Sequence, residues 1–149
     1  MTSRVFGWGI IAVNAVKAKD LPLTEILELY RAVEWSAYTN DPDNLVRALE
    51  GSSTIVAARD GETLVGLARV ISDGASICYL QDILVCPSHH RRGIGRALTE
   101  RALEEYSHVR QKVLITDDEP KQKSFYESLG YIQTGEFQGG SIRAFVKFD

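Results

Sequence analysis

Residues 80–106, LQDILVCPSHHRRGIGRALTERALEEY, decide how the sequence reads. An apolar run leads into a polar turn with Pro87, a basic pair and two glycines; Ile94, Ala97, Leu98 and Ala102 then recur at helical spacing, with Glu100, Glu104 and Glu105 on the other side. That order is strand, loop and helix start. Gly93 and Gly95 lack the Cβ atoms that would hold a ligand off the backbone, and they fall where the first free N–H groups of a helix point outward. Oriented amides at the positive end of a helix dipole favour a phosphate, and Arg91, Arg92 and Arg96 surround the turn with more positive charge.

Spacing excludes two phosphate motifs. A P-loop needs a Lys and a hydroxyl after its last glycine, and neither is present. A dinucleotide fingerprint needs a third glycine where this sequence has Leu98, too large for the close helix-on-strand packing that glycine permits. The segment instead resembles the pyrophosphate-binding segment of the GNAT superfamily of acyl-CoA-dependent N-acyltransferases. There Gln or Arg is followed, after two residues, by Gly, any residue, and Gly or Ala. Gly93, Ile94 and Gly95 match, and His90 stands at the first position. A second segment, Phe125-Tyr126-Glu127-Ser128-Leu129-Gly130-Tyr131, resembles the same superfamily. A looser similarity, in residues 68–73 and 82–85, is to the plant plastid serotonin N-acetyltransferase subgroup.

Composition agrees with a single domain over residues 1–149, long enough to bury roughly 70% of its unfolded surface. Hydrophobic content of 44% and charged content of 25% are ordinary for a soluble globular protein. A net charge of −3 argues against nucleic acid as a partner, and no run suggests a membrane span. Cys78 and Cys86 are eight residues apart on one expected strand, roughly 26 Å if extended, so they read as free thiols of a reducing, cytoplasmic compartment. His89, His90 and His108 form no metal-ligand spacing, so no metal is expected. The apolar run at residues 5–13 is short, broken by Gly7 and Gly9, and reads as a first strand in preference to a signal peptide.

Strands are expected over residues 5–16, 54–59, 63–71, 77–85, 113–116 and 142–148. Asp60-Gly61 makes a hairpin of the second and third, and Ser72-Asp73-Gly74-Ala75 turns into the fourth. Helices are expected over 24–37, 43–49, from Gly93 onward, and over 121–129 with Gly130 as its stop. The GNAT resemblance implies an α+β fold: a mixed, mostly antiparallel sheet of six to seven strands with helices on both faces, splayed between the fourth and fifth strands. It also implies acetyl-CoA as cosubstrate. The pantetheine arm would pair with fourth-strand backbone at Ile83, Leu84 and Val85, where the family has a bulge, and the phosphates would lie on Arg91, Arg92, Gly93, Ile94, Gly95 and Arg96.

The implied reaction is N-acetylation of a primary amine by direct attack in a ternary complex. An aliphatic amine of pKa near ~10 is neutral only about once in a thousand at pH 7, equivalent to roughly 4 kcal/mol, so a base or a water chain is needed. Tyr126 occupies the family's acid position and can protonate the departing thiolate; an aromatic core role is its alternative. Many members carry Glu where this sequence has Gln81, which can hold a water but not take its proton. Asp82, expected on the opposite face from Gln81, reads equally as a relay or as a structural carboxylate. His89 and His90 read as bases or as phosphate-facing groups. Glu119 and Pro120 replace a frequent Asn before the last helix.

Glu34, Asp41 and Asp43 with Trp35 and Tyr38 suit a cationic amine with an apolar or aromatic body, or equally form a solvated helix face with two aromatic core anchors, and Asp73 is a turn residue that could also line the cleft. The looser similarity to the plant plastid serotonin N-acetyltransferase subgroup implies an arylalkylamine or polyamine as acceptor. A protein N-terminus or lysine stays open, as do a homodimer and a non-catalytic acyl-CoA-binding module. Transfer through an acyl-cysteine at Cys78 or Cys86 is disfavoured, since no His or acid is positioned in sequence to activate either thiol.

Overall fold

The period-two apolar runs make a sheet, and the helical runs cover it. The computed structural model describes residues 3–6 and 9–149, with side chains from residue 10 onward. The chain divides into two units, Met1–Ile115 and Thr116–Asp149. In the first, the strands follow one another across the sheet in sequence order: β1 (Ser3–Phe6), β2 (Gly9–Val16), β3 (Thr54–Asp60), β4 (Thr63–Ser72), β5 (Ile77–Val85) and β6 (Gln111–Leu114). Neighbours are antiparallel except β5 and β6, which are parallel. A parallel pair needs a crossover, and α4 (Ile94–Glu104) supplies it.

Helices α1 (Leu23–Ala32), α2 (Ser36–Thr39) and α3 (Pro42–Glu50) precede β3. Ile26, Leu29, Tyr30, Leu45 and Leu49 from this group pack with Ile55, Ala57, Leu67 and Leu84 of the sheet. α4 buries Ile94, Ala97, Leu98 and Ala102 on the opposite face. Gly66 makes the room: a Cβ there would lie 2.9 Å from Leu98 Cδ1 and 3.2 Å from the Leu84 carbonyl oxygen. The bulk of Leu98 on the helix is met by a glycine on the strand.

Three expectations are corrected. The strand over residues 5–16 is two, with Phe6 opposite Gly9 and residues 7 and 8 outside the described residues. The helix over 24–37 ends at Ala32, because Glu34 takes a left-handed φ of 62°. Trp35 N–H then bonds the Tyr30 carbonyl at 3.2 Å, Glu34 N–H the Arg31 carbonyl at 3.0 Å, and the Trp35 ring meets Tyr30 edge-on at 6.0 Å. This is a Schellman cap with Glu in the position glycine usually takes, so the sequence carried no stop signal. The run over 142–148 joins no ladder, and Phe145 and Phe148 are 88% and 84% exposed. Its alternating residues suit a strand, but propensity supplies no partner, and a strand needs one.

The second unit contains α5 (Pro120–Ser128), which also ends in a Schellman cap. Gly130 has φ 92°, its N–H bonds the Glu127 carbonyl at 3.0 Å, and Tyr131 N–H bonds the Tyr126 carbonyl at 3.1 Å. The Tyr131 ring packs on Tyr126 at 6.1 Å, the apolar contact that accompanies this motif.

Candidate active site

β5 pairs with β6 only from Ile77 opposite Gln111 to Leu80 opposite Leu114. Beyond that point residues 81–85 have no strand on this side among the described residues. The separation coincides with a bulge. Across β4, Arg69 pairs with Asp82 and Val70 with Leu80, which leaves Gln81 as the extra residue. A bulge bends its strand and increases the local twist, carrying the second half of β5 away from the direction of β6.

The bulge also corrects a prediction. Simple alternation puts Gln81 and Asp82 on opposite faces, yet both side chains reach the Tyr38 hydroxyl: Gln81 Nε2 donates to it at 3.3 Å, and the hydroxyl donates to Asp82 Oδ1 at 2.8 Å. The extra residue interrupts the two-residue period, so alternation fails at this step alone.

Asp82 is buried and forms the centre of a network. Its Oδ2 accepts from Arg69 Nε at 2.5 Å and from the Tyr30 hydroxyl at 2.9 Å. Arg69, 5% exposed, also donates to the Tyr38 hydroxyl at 3.1 Å and to Ser52 Oγ at 3.3 Å. One guanidinium thereby joins β4 and β5 to α2 and to the end of α3. Burial pushes the Tyr30 phenol far up, and the Asp82 carboxylate adds to the effect. The half-buried Tyr38 phenol is raised by the same two causes in the same order. For Arg69, burial favours the neutral form, but the adjacent Asp82 outweighs it and the guanidinium stays charged. Trp35 and Tyr38 rings lie 6.2 Å apart beside this network, and Glu34 is exposed next to them.

Alternation in the β4–β5 ladder fixes which peptide groups face the open side. Cys86 N–H bonds the Val65 carbonyl at 2.7 Å, so the Leu84 peptide groups turn to β4 and those of Ile83 and Val85 turn to the unpaired edge. The Leu84 side chain lies in the core. The edge runs into the turn before α4. There Arg91 and Gly93 have φ of 63° and 80°, and no side chain caps the helix N-terminus. The Ile94 side chain is buried, leaving its backbone to face the turn. Arg91 and Arg96 are exposed and Arg92 half-buried, with Arg96 bonded to Glu100 at 2.8 Å.

The two histidines of this loop have protein partners. His89 Nε2 lies 2.8 Å from Asp60 Oδ2 and its Nδ1 2.7 Å from Ser88 Oγ, while His90 Nε2 donates to the Val85 carbonyl at 2.8 Å. Asp73 accepts from Ser76 Oγ at 2.5 Å and from the amides of Ala75, Ser76 and Ile77, so its carboxylate is the centre of the β4–β5 turn. Within the second unit, burial raises the Tyr126 phenol, and a hydrogen bond with Thr116 works against it.

The structure thus brings Tyr38, Gln81 and Asp82 together and keeps Asp73 in its turn. Arg69 and Tyr30, which hold Asp82, escaped sequence reasoning as site residues. The signal available was a lone Arg inside an apolar strand, TLVGLARVIS, since a buried charge requires a partner. Among the described residues no three His, Cys, Asp or Glu side chains form a metal-ligand group, and no helix is long and apolar enough to cross a membrane.

Comparison with known proteins gives consistent matches. A family model described as an acetyltransferase (GNAT) domain matches residues 25–145. A Gibberella zeae protein assigned to the acetyltransferases is 37% identical over 78 residues, 50% of this chain and 43% of that protein, so the match spans less than half of that relative's length. The L-amino acid N-acyltransferase MnaT of Escherichia coli is 27% identical over 137 residues, 82% of this chain and 79% of MnaT. A solved GNAT family acetyltransferase of Streptococcus pneumoniae superposes with a TM-score of 0.79 at 30% identity, over 93% of this chain and 98% of that one.

Proposed function

The chain belongs to the GNAT family of acetyltransferases, and from that premise we propose that it moves an acetyl group from acetyl-CoA to a small-molecule primary amine by direct attack within a ternary complex. The observation that carries this reading is the unpaired edge of β5, opened at the Gln81 bulge and continuous with the uncapped N-terminus of α4. An extended ligand arm with amide groups can add to such an edge as a strand would, and a pyrophosphate suits the amides and arginines at its end. The residues present therefore fit acetyl-CoA, which supplies the activated acetyl group when bound. Ile83 would hold its amide arm through its backbone N–H and carbonyl, and Val85 through its N–H, since the Val85 carbonyl already accepts from His90. Leu84 backs that edge from the core. Gly93, Ile94 and Gly95 would hold the phosphates through their backbone, with Arg91, Arg92 and Arg96 as cations.

The acceptor amine would lie beside Gln81 and Tyr38. Glu34 offers it negative charge and Trp35 an aromatic face, which favours a cationic arylalkylamine or polyamine. In this reading Asp82, with three donors already bonded, holds Tyr38 and Arg69 in place, and Asp73 serves its turn. Tyr126 provides the proton for the departing thiolate, since a phenol stays protonated at neutral pH and burial raises this one further.

Thiol release from acetyl-CoA, followed with a disulfide dye against polyamines, arylalkylamines, amino acids and short peptides, tests the reading. Acceptor-dependent release with an arylalkylamine or polyamine is the expected result. Release only with peptides would replace the acceptor class, and calorimetry showing no acetyl-CoA binding would remove the reading altogether.

A further inference from the structure

The hydrogens of the Tyr38 network can be assigned from chemistry alone. Asp82 is ion-paired to Arg69 at 2.5 Å, and a carboxylate has no hydrogen to give. The hydrogen in its 2.8 Å contact with Tyr38 therefore belongs to the phenol. A phenol has only one. Toward Arg69 and Gln81, at 3.1 Å and 3.3 Å, the same oxygen must accept. Gln81 can satisfy that demand only with its NH2 group, so its amide cannot be flipped without setting two acceptors against each other. The side-chain carbonyl Oε1 is then turned away from Tyr38, on an exposed residue, and no described residue donates to it.

We propose that Gln81 Oε1 is a fixed hydrogen-bond acceptor for an N–H of the incoming amine, oriented by Tyr38 and, behind it, by the Arg69–Asp82 pair. The inference rests on the acetyl-transfer reading and gives Gln81 a definite task within it. Gln81 takes no proton. It aligns the amine nitrogen at the residue where β5 leaves β6, and it selects ligands that bring donors there over ligands that bring carbonyl or carboxylate oxygens. Tyr38 is a positioning residue. Its contribution passes through the orientation of the Gln81 amide.

Two measurements test this. The side-chain NH2 signals of Gln81, identified by their loss in Gln81→Ala, are followed by NMR in the free protein. Tyr38→Phe, which keeps the ring, should shift both signals and speed hydrogen exchange; unmoved signals overturn the proposal. In kinetics with 2-phenylethylamine and spermidine at saturating acetyl-CoA, Gln81→Ala should raise the amine KM about tenfold, the worth of one hydrogen bond. Tyr38→Phe should do the same, and the double variant should be no worse than the poorer single one. The acetyl-CoA affinity by calorimetry should stay within about twofold in all three. An unchanged amine KM in Gln81→Ala, or additive losses in the double variant, overturns the proposal while leaving acetyl transfer intact. If neither amine is turned over and neither moves the Gln81 signals in the presence of CoA, the proposal also fails. Loss of acetyl-CoA binding by the unaltered protein would sink the acetyl-transfer reading itself.

Discussion

At Tyr126 one side chain joins a packing contact to the proposed chemistry. Its ring is the apolar contact of the α5 cap against Tyr131, and its hydroxyl, raised by burial, is the proposed acid. Tyr126→Phe separates the two: the ring contact survives and only the hydrogen bond with Thr116 is lost, so stability should fall by no more than about 1 kcal/mol, while kcat should fall about 10²–10⁴-fold with acetyl-CoA affinity unchanged. Steady-state kinetics beside calorimetry checks this, and an unaltered kcat would leave Tyr126 a packing residue. Asp73 shows the opposite balance. The Ser76 hydroxyl first, then the amides of Ala75, Ser76 and Ile77, hold its carboxyl well below the usual carboxylate range. The folded state then binds fewer protons than the unfolded one, so the stability this turn supplies is full above about pH 4 and drains as pH falls through the lower folded value. Asp73→Asn should melt earlier at neutral pH, and its gap to the unaltered protein should narrow below about pH 4. Thermal melts across that range decide it.

The elements are bounded by the same device twice, once legibly and once not. α5 is stopped by a glycine, the usual signal, whereas α1 is stopped by Glu34, whose left-handed φ of 62° carries a steric cost of about 1–2 kcal/mol. The Trp35 ring on Tyr30 and the two cap hydrogen bonds offset it. Replacing Glu34 by Gly relieves that strain and adds about 0.5–1 kcal/mol of unfolded-chain entropy, so the variant should gain about 0.5–1 kcal/mol in urea unfolding. If Glu34 also attracts a cationic acceptor, the same variant should show a higher KM for the amine. A gain in stability with no change in KM would confine Glu34 to the cap. Strain kept at an exposed residue beside the candidate cleft is the pattern expected where position serves binding.

Across the first unit, the strand that carries the open edge, β5, lies beside the point where α4 approaches the sheet closely, at Gly66. Gly66 lies opposite Val85 in the β4–β5 ladder, with Leu98 over it and the Leu84 carbonyl beside it. Gly66→Ala would press a Cβ 2.9 Å from Leu98 Cδ1, which can rotate, and 3.2 Å from a backbone oxygen of β5, which cannot move without shifting the strand. The variant should lose about 1–3 kcal/mol. It should also bind acetyl-CoA more weakly, because the displaced strand is the proposed ligand edge. Unfolding and calorimetry on the same sample test both consequences, and a stable variant with full affinity would mean the edge is set elsewhere.

The sequence by itself determined whatever is written in local periodicity or local turn chemistry. The strand, glycine turn and helix of residues 80–106, the hairpin at Asp60-Gly61, the Asp73 turn and the Gly130 stop are all of this kind, because each depends on residues a few positions apart. Only the tertiary structure decided the rest. The bulge at Gln81 arises from a register shift within the β4–β5 ladder, between the pairs Arg69 with Asp82 and Val70 with Leu80, and neither strand records it alone. The Tyr30–Tyr38–Arg69–Asp82 network joins residues up to 52 positions apart, and no spacing rule spans that distance. The run at 142–148 has the alternation of a strand and stays outside every ladder, since a strand is made by its partner and alternation cannot name one.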